Sequence, residues 1–415
     1  MRVLPPARLA AVFALCCAPA GLAVAQAGAP TLVLIHANVI DGVSAQPRRD
    51  AAIVIRAGKI VSVDSEVPKP GWAVVIDLQG RWVLPGLIDL HVHISDLTAA
   101  RTALASGVTT VRAMGVDRYA DIGLRTLHRS GVADIPDVIA SGYHVRPRLS
   151  DAVFLDVPDL KDILAAPDGL RGPENVRRLV RAEIARDVDV IKIMATERAG
   201  LPDTDPRKRV YTEEEMAAAV DEARQWRLTV AAHAHGDEGA RAAVRAGVRT
   251  IEHGTWLADE TLTLMKEKGV CFVPTIATVV DLTDPGGDYD DPALFVRGRA
   301  MLPRVRDAAG RGWKLGVKVG AGTDTGYGVR SNRLLSDEIA ELVGVGMPPL
   351  DALKAATSVA AECAGIAHRT GAIRPGLEAD LIVVAGDPLS DLRALREIVV
   401  VVNDGYVPIN RLGAR

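Results

Sequence analysis

The sequence predicts an α/β protein: a distorted TIM (β/α)8 barrel with a small β-sandwich domain built from both chain ends. Two observations carry this. Residues 81–370 alternate short apolar runs with helical patterns, eight times over about 290 residues. Residues 31–79 and 371–408 share a different texture, rich in β-branched residues and tight turns. The 415 residues, 48% of them hydrophobic, suffice for one large domain and a smaller one. The division expected is 28–80 plus 371–415 for the sandwich and 81–370 for the barrel.

The amino terminus stands apart. Arg2 and Arg8 precede the apolar run AAVFALCCAPAGLAVA, which ends in small residues. This is the pattern of a secretory signal peptide over residues 1–27, with cleavage after Ala25 or Ala27. A membrane anchor is the competing reading. Pro19 and Gly21 interrupt the run and no basic stop follows it, so no stable membrane insertion is expected after cleavage. The implied compartment is the periplasm or the exterior. Beyond this segment the chain keeps Cys271 and Cys363, so one bridge at most. Both lie in apolar stretches typical of buried thiols. Charged residues make up 24% of the chain and the net charge is -3, which argues against nucleic acid as a partner.

The first β region contains TLVLIHANVIDG, AAIVIRAGKIVSVD and GWAVVIDLQG, with turn chemistry at Asp41-Gly42, Gly58 and Gly80. The second contains GAIRPGLEADLIVVAGDP and LREIVVVVNDGYVP, with a tight turn at Asn403-Asp404-Gly405. Pairing between the two regions explains most simply why the chain ends in strands.

The expected barrel strands are 84–90, 107–114, 137–143, 188–194, 228–234, 248–253, 270–275 and 315–322. The clearest helical pattern between them is TEEEMAAAVDEARQW, where Thr212 can cap and Glu215 sits at the capping-box position. Two connections, roughly 144–172 and 276–300, are longer than a barrel needs and suit the walls of a substrate pocket.

Five of the nine histidines fall in three tight places. His91 and His93 close the run RWVLPGLIDLHVH, and on a strand i and i+2 share a face. His233 and His235 do the same in TVAAHAHG, and His253 follows in IEHG. All lie at the carboxyl ends of expected strands, where barrels of this kind place their chemistry. Imidazole suits a borderline divalent metal such as zinc. Lys192 lies in the apolar strand VIKIM, where an unpaired ammonium is costly. Either an acid pairs with it, or the neutral amine reacts with carbon dioxide to give a carbamate able to bridge two metal ions. Asp324, in VGAGTDTG, follows the last strand. It reads as a turn residue or as a carboxylate that binds metal and takes a proton from bound water.

Taken together, IDLHVH, IKIMAT, AHAHG, IEHG, GTDTG and GAIRPGLEADLIVV resemble the amidohydrolase superfamily, from about residue 31 to 408. The chain looks closest to its imidazolonepropionase- and prolidase-like branch, which holds dipeptidases and ochratoxinase-like amidases. The resemblance implies two divalent ions, usually zinc. His91, His93 and Asp324 would hold the first. His233 and His253 would hold the second, with N6-carboxylated Lys192 bridging the two. His235 would face substrate, and Tyr143 would aim at the scissile carbonyl. Asp324 would shuttle the proton. The implied reaction is hydrolysis of an amide in a dipeptide or N-acyl amino acid. A lactone, cyclic amide or phosphotriester substrate, or deamination, is the alternative. The resemblance also suggests a homo-oligomer.

Two departures fall beside the expected pocket. Glu197-Arg198 follows IKIMAT where many relatives have a glycine pair, and GYHVRPRLSD lacks the glycine-rich run expected there. His144, Arg146, Arg148 and Arg198 are therefore candidates to line a substrate site, the arginines to bind a terminal carboxylate.

Overall fold

In the amino-terminal β region, apolar alternation produces paired strands. These are β1 (Leu32–Val39), β2 (Arg48–Arg56), β3 (Lys59–Asp64) and β4 (Val74–Asp77), followed by β5 (Trp82–Pro85). The computed structural model describes residues 31–65, 73–149 and 153–413. The segment read as an export signal lies outside the described residues.

The barrel strands follow as β6 (Leu87–Val92), β7 (Val108–Ala113), β8 (Asp137–Ile139), β9 (Val190–Met194), β10 (Thr229–Gly236), β11 (Thr250–Trp256) and β12 (Cys271–Val273). The chain then closes with β13 (Leu381–Val384), β14 (Ile398–Asn403) and β15 (Tyr406–Asn410). One mixed sheet joins the two ends in the order β15-β14-β13-β5-β1-β2-β3, with β4 also on β1. Its apolar interior draws Leu34, Ile53 and Ile60 from one end and Leu381, Val383 and Val400 from the other. The Ile60 amide donates to Leu377 O, and the Gly376 amide to Ile60 O, both at 2.9 Å or less. These bonds fold the β3 edge back towards the carboxyl-terminal strands.

The joint between the ends differs from expectation. The apolar run at 82–92 is two strands, not one. β5 belongs to the mixed sheet and links β1 to β13, while β6 enters the barrel. Pro85 and Gly86 make the break. The Gly86 amide donates to Asp380 O at 2.7 Å. A Cβ on Gly86 would meet the Thr109 hydroxyl at 2.1 Å, so only glycine fits that crossing.

The barrel strands pair in parallel as β6-β7-β8 and β9-β10-β11-β12. Single bridges complete the ring. Val145 pairs with Ile193, Phe272 with Val319, and Val92 with Thr325. The expected eighth strand at 315–322 is thus a closing segment without a ladder of its own. It is interrupted by Gly316, Gly320 and Gly322 and ties to both neighbours through Gly320 N–H to Phe272 O and Leu90 N–H to Ala321 O. Around the ring, the helix Glu213–Gln225 starts with the expected capping box at Thr212 and Glu215. Helices Asp237–Ala246 and Asp259–Lys268 each end at a left-handed glycine.

The connection expected at 276–300 is mostly helical, with Ile276–Asp281 and the long helix Pro292–Leu315 leaving only a short irregular stretch between. Cys271 and Cys363, expected as buried thiols, form a disulfide that ties β12 to the helix Ser358–Ala364. Barrel folding brings them together across 92 residues, a distance that apolar context alone does not reveal. Among the described residues no helix is long and apolar enough to cross a membrane.

Candidate metal centre

The strand period sets up the first donor group. His91 and His93 leave the end of β6 on one face, while Val92 turns into the core. Asp324, on the closing segment beside them, places Oδ1 2.9 Å from His93 Nε2 and 3.4 Å from His91 Nε2. The second group comes from the neighbouring strands. His233 and His235 share a face of β10, and His253 stands on β11. Within each group of three, the ligand atoms lie within 4.8 Å of one another. Asp324 connects the groups, with Oδ2 3.9 Å from His253 Nδ1. Lys192 projects from β9 with Nζ 3.3 Å from His91 Nε2.

Each imidazole is held by one ring nitrogen. His91 Nδ1 lies 2.9 Å from Glu252 Oε2, and His93 Nδ1 2.9 Å from Gly115 O. His235 Nδ1 meets the Thr255 hydroxyl at 2.9 Å, and His253 Nδ1 meets Thr275 at 2.7 Å. His233 Nε2 sits 3.1 Å from Glu197 O. One nitrogen on each ring is thereby anchored and the other left to serve the site, the arrangement by which metal-binding imidazoles are held in orientation. His253 (φ 72) and Asp324 (φ 59) hold left-handed backbone that non-glycine residues avoid. Strain of this kind, about 1–3 kcal/mol per residue, collects at functional sites.

The electrostatics suit cation binding. Burial, then the nearby Lys192 charge, brings His91 down to about 4. Burial likewise lowers His235 to about 3 and pulls His233 and His253 well below the usual imidazole range. These rings are neutral at pH 7 and keep their lone pairs. Burial opposes ionisation of Asp324, yet His91 and His93 outweigh it and hold the carboxyl below the usual carboxylate range. Burial lowers Lys192 to about 8. Neutral imidazoles, an ionised carboxylate and a readily deprotonated lysine form a donor set that fits divalent metal ions.

The predicted residues do not all converge. His91, His93, Lys192, His233, His235, His253 and Asp324 line one cavity, together with His144 and Arg198. The resemblance gives the second ion two histidines, whereas the structure offers three. Arg146 and Arg148 line an adjoining cavity instead. Tyr143 stands outside the lining of the metal centre's cavity. Its hydroxyl accepts from the Arg118 amide and donates to Asp156. The turn after β8 rotates the ring against Tyr119, which strand position alone cannot show.

Three functional candidates escape sequence reasoning. Tyr289, from the stretch between the two helices after β12, lines the centre, and the neighbouring Asp324 carboxylate keeps its phenol protonated. Glu252 and Arg112 lie behind His91. Arg112 Nη2 donates to Glu252 Oε1 at 2.9 Å, and both side chains are buried. Their signal was available: each is a charged residue inside an apolar strand, in IEHG and TTVRAM.

A profile of the amidohydrolase family matches residues 82–407, which spans the barrel and reaches β15. This chain belongs to the amidohydrolase family. It is a metal-dependent hydrolase acting on amide or peptide-like bonds. Among amidohydrolases it is similar to the ochratoxinase of Aspergillus niger, with 30% identity over 415 residues, covering 91% of this chain and 86% of the relative. The crystal structure of A. niger ochratoxinase superposes with a TM-score of 0.79 at 26% identity, covering 93% of this chain and 99% of that one. A Xaa-Pro dipeptidase crystallised with methionine bound in its active site gives a TM-score of 0.80 at 28% identity, covering 91% and 99%.

Proposed function

We propose that this amidohydrolase is a binuclear metalloenzyme that removes the carboxyl-terminal residue from dipeptides or N-acyl amino acids. The observation that carries the reading is the pairing of two three-donor groups through Asp324, with Lys192 buried beside them. His91, His93 and Asp324 would hold one ion. Two or three of His233, His235 and His253 would hold the other. Two bound divalent ions, zinc by family resemblance, supply hydroxide at neutral pH and polarise the scissile carbonyl.

The chain's own residues do the rest. With its pKa brought to about 8, Lys192 offers a neutral amine to carbon dioxide. Nζ forms a bond to the carbon and releases a proton, which leaves an anionic carbamate in place of a cation. Asp324 keeps Oδ1 against His93, so Oδ2 is the oxygen that accepts the proton of the attacking water. The same carboxyl then gives the proton to the leaving amine. The Tyr289 phenol, protonated beside Asp324, donates to the oxygen that becomes negative as the carbonyl is attacked. Arg198 belongs to the walls of both the centre and the adjoining cavity, which suits a terminal carboxylate next to the scissile bond. The dipeptidase and amidase named among the similar proteins support this substrate class. Export to the periplasm belongs to the same reading and rests on the pattern from Arg2 to Ala27.

The test is metal analysis of the purified protein followed by a substrate panel. Two ions per chain and hydrolysis of dipeptides or N-acyl amino acids are expected. A fully metallated protein that cleaves lactones or phosphotriesters but no amide would overturn the proposal.

A further inference from the structure

A cavity of about 660 Å³ adjoins the metal centre and shares Met194 and Arg198 with it. Its wall carries six cations: Arg146, Arg148, Arg171, Arg198, Lys208 and Arg209. Among the described residues only two acids, Asp168 and Glu197, stand with them. Three of the cations have carboxylate partners. Lys208 lies 2.7 Å from Glu197, Arg209 3.2 Å from Glu238, and Arg171 4.0 Å from Glu215. The other three, Arg146, Arg148 and Arg198, form no ion pair among the described residues.

Their surroundings call for an anion. Arg146 Nε is buried with no hydrogen-bond partner. Burial, and next the Arg198 charge, pulls Arg146 below the usual guanidinium range, with Asp117 opposing them. Among the described residues Arg148 donates to the Pro167 carbonyl, at 3.4 Å. Cations that outnumber their counter-charges are costly to gather, and an anionic ligand offsets that cost. One carboxylate needs one guanidinium fork. Three guanidiniums without an ion pair among the described residues exceed what a single terminal carboxylate requires.

Their positions divide the work. Arg198 lines both spaces and so stands where the metal centre meets the outer cavity. Arg146 and Arg148 line the outer cavity and not the centre, so they suit a group held further from the metals. We propose that the preferred substrate ends in an acidic residue, glutamate or aspartate. Arg198 takes its main-chain carboxylate, and Arg146 with Arg148 takes its side-chain carboxylate. This rests on the amidase reading above and adds the identity of the leaving residue.

The experiment compares isosteric pairs on the metal-loaded enzyme: Ala-Glu against Ala-Gln, and Ala-Asp against Ala-Asn, with Ala-Leu and Ala-Pro alongside. The acidic member should be favoured in kcat/KM on the order of tenfold or more, the scale of one charge-assisted hydrogen bond. That preference should shrink as salt is added. R148Q and R146Q should each move the Glu/Gln ratio towards one, whereas R198Q should raise KM for both substrates. Equal turnover of Ala-Glu and Ala-Gln by the wild-type enzyme would overturn the inference and leave the amidase reading standing. So would an R148Q ratio equal to that of the wild type. Failure to cleave any dipeptide or N-acyl amino acid would defeat both.

Discussion

Glu252→Gln separates the support of the metal centre from the centre itself. The Glu252 carboxylate is fully buried and serves three partners: His91 Nδ1, Arg112 Nη2 and the Thr250 hydroxyl. Burial alone would raise its pKa, but Arg112 and the His91 hydrogen bond hold it at about 2, so it is an anion under all working conditions. Glutamine keeps the shape and one acceptor, yet turns an amide NH2 towards either His91 or Arg112. Removing one partner of a buried ion pair costs about 3–5 kcal/mol of stability. Losing the acceptor that orients a metal-binding imidazole costs about 10–100-fold in metal affinity, or about 1.4–2.7 kcal/mol. Thermal unfolding and metal competition against a chelator measure the two effects separately. The double variant R112M/E252M removes both charges and the acceptor together; it should recover much of the stability, while metal affinity stays low because His91 still lacks its acceptor. An E252Q protein that binds metal as tightly as wild type, or a double variant that regains full affinity, would refute this account.

Lys192→Ala should lose metal content and activity together, and added formate should restore part of both. Full activity in a folded K192A protein without added carboxylate would end the bridging proposal. Tyr289→Phe should lower kcat by about 10²–10³ with little change in KM, as for a lost oxyanion donor. Tyr143→Phe should instead cost about 1 kcal/mol of stability, from its bond to Asp156, and leave kcat nearly intact. Finding these two effects exchanged would return Tyr143 to the site. Glu338 is buried, accepts the Ala277 amide through Oε2, and leaves Oε1 without a partner. Burial raises its pKa from 4.5 to about 8. The folded state therefore keeps a proton that the unfolded chain releases. Its contribution is full below about pH 4.5 and declines by about 1.4 kcal/mol per unit as pH rises towards 8. Denaturant titrations across that range should show a flatter profile for Glu338→Gln, and parallel profiles would count against it.

The sequence by itself determined the local parts. A strand has period two, so His91 with His93, and His233 with His235, had to share faces whatever the rest of the chain did. A lysine inside VIKIM had to be buried, and a charge in that position needs chemistry or a partner to explain it. Alternation and turn residues likewise revealed the barrel and the strands at both ends. The tertiary structure decided everything that depends on ring closure. Lys192 reaches His91 across 101 residues, Arg112 reaches Glu252 across 140, and Glu252 reaches His91 across 161. No local period encodes such distances. The same closure placed Tyr289 at the centre, bound the Tyr143 hydroxyl to Asp156 and the Arg118 amide, broke one apolar run at Pro85-Gly86, and joined Cys271 to Cys363. Which donors exist was therefore a matter of residue type and strand period. Which nitrogen faces the site, and which charges face the substrate, was a matter of packing between distant strands.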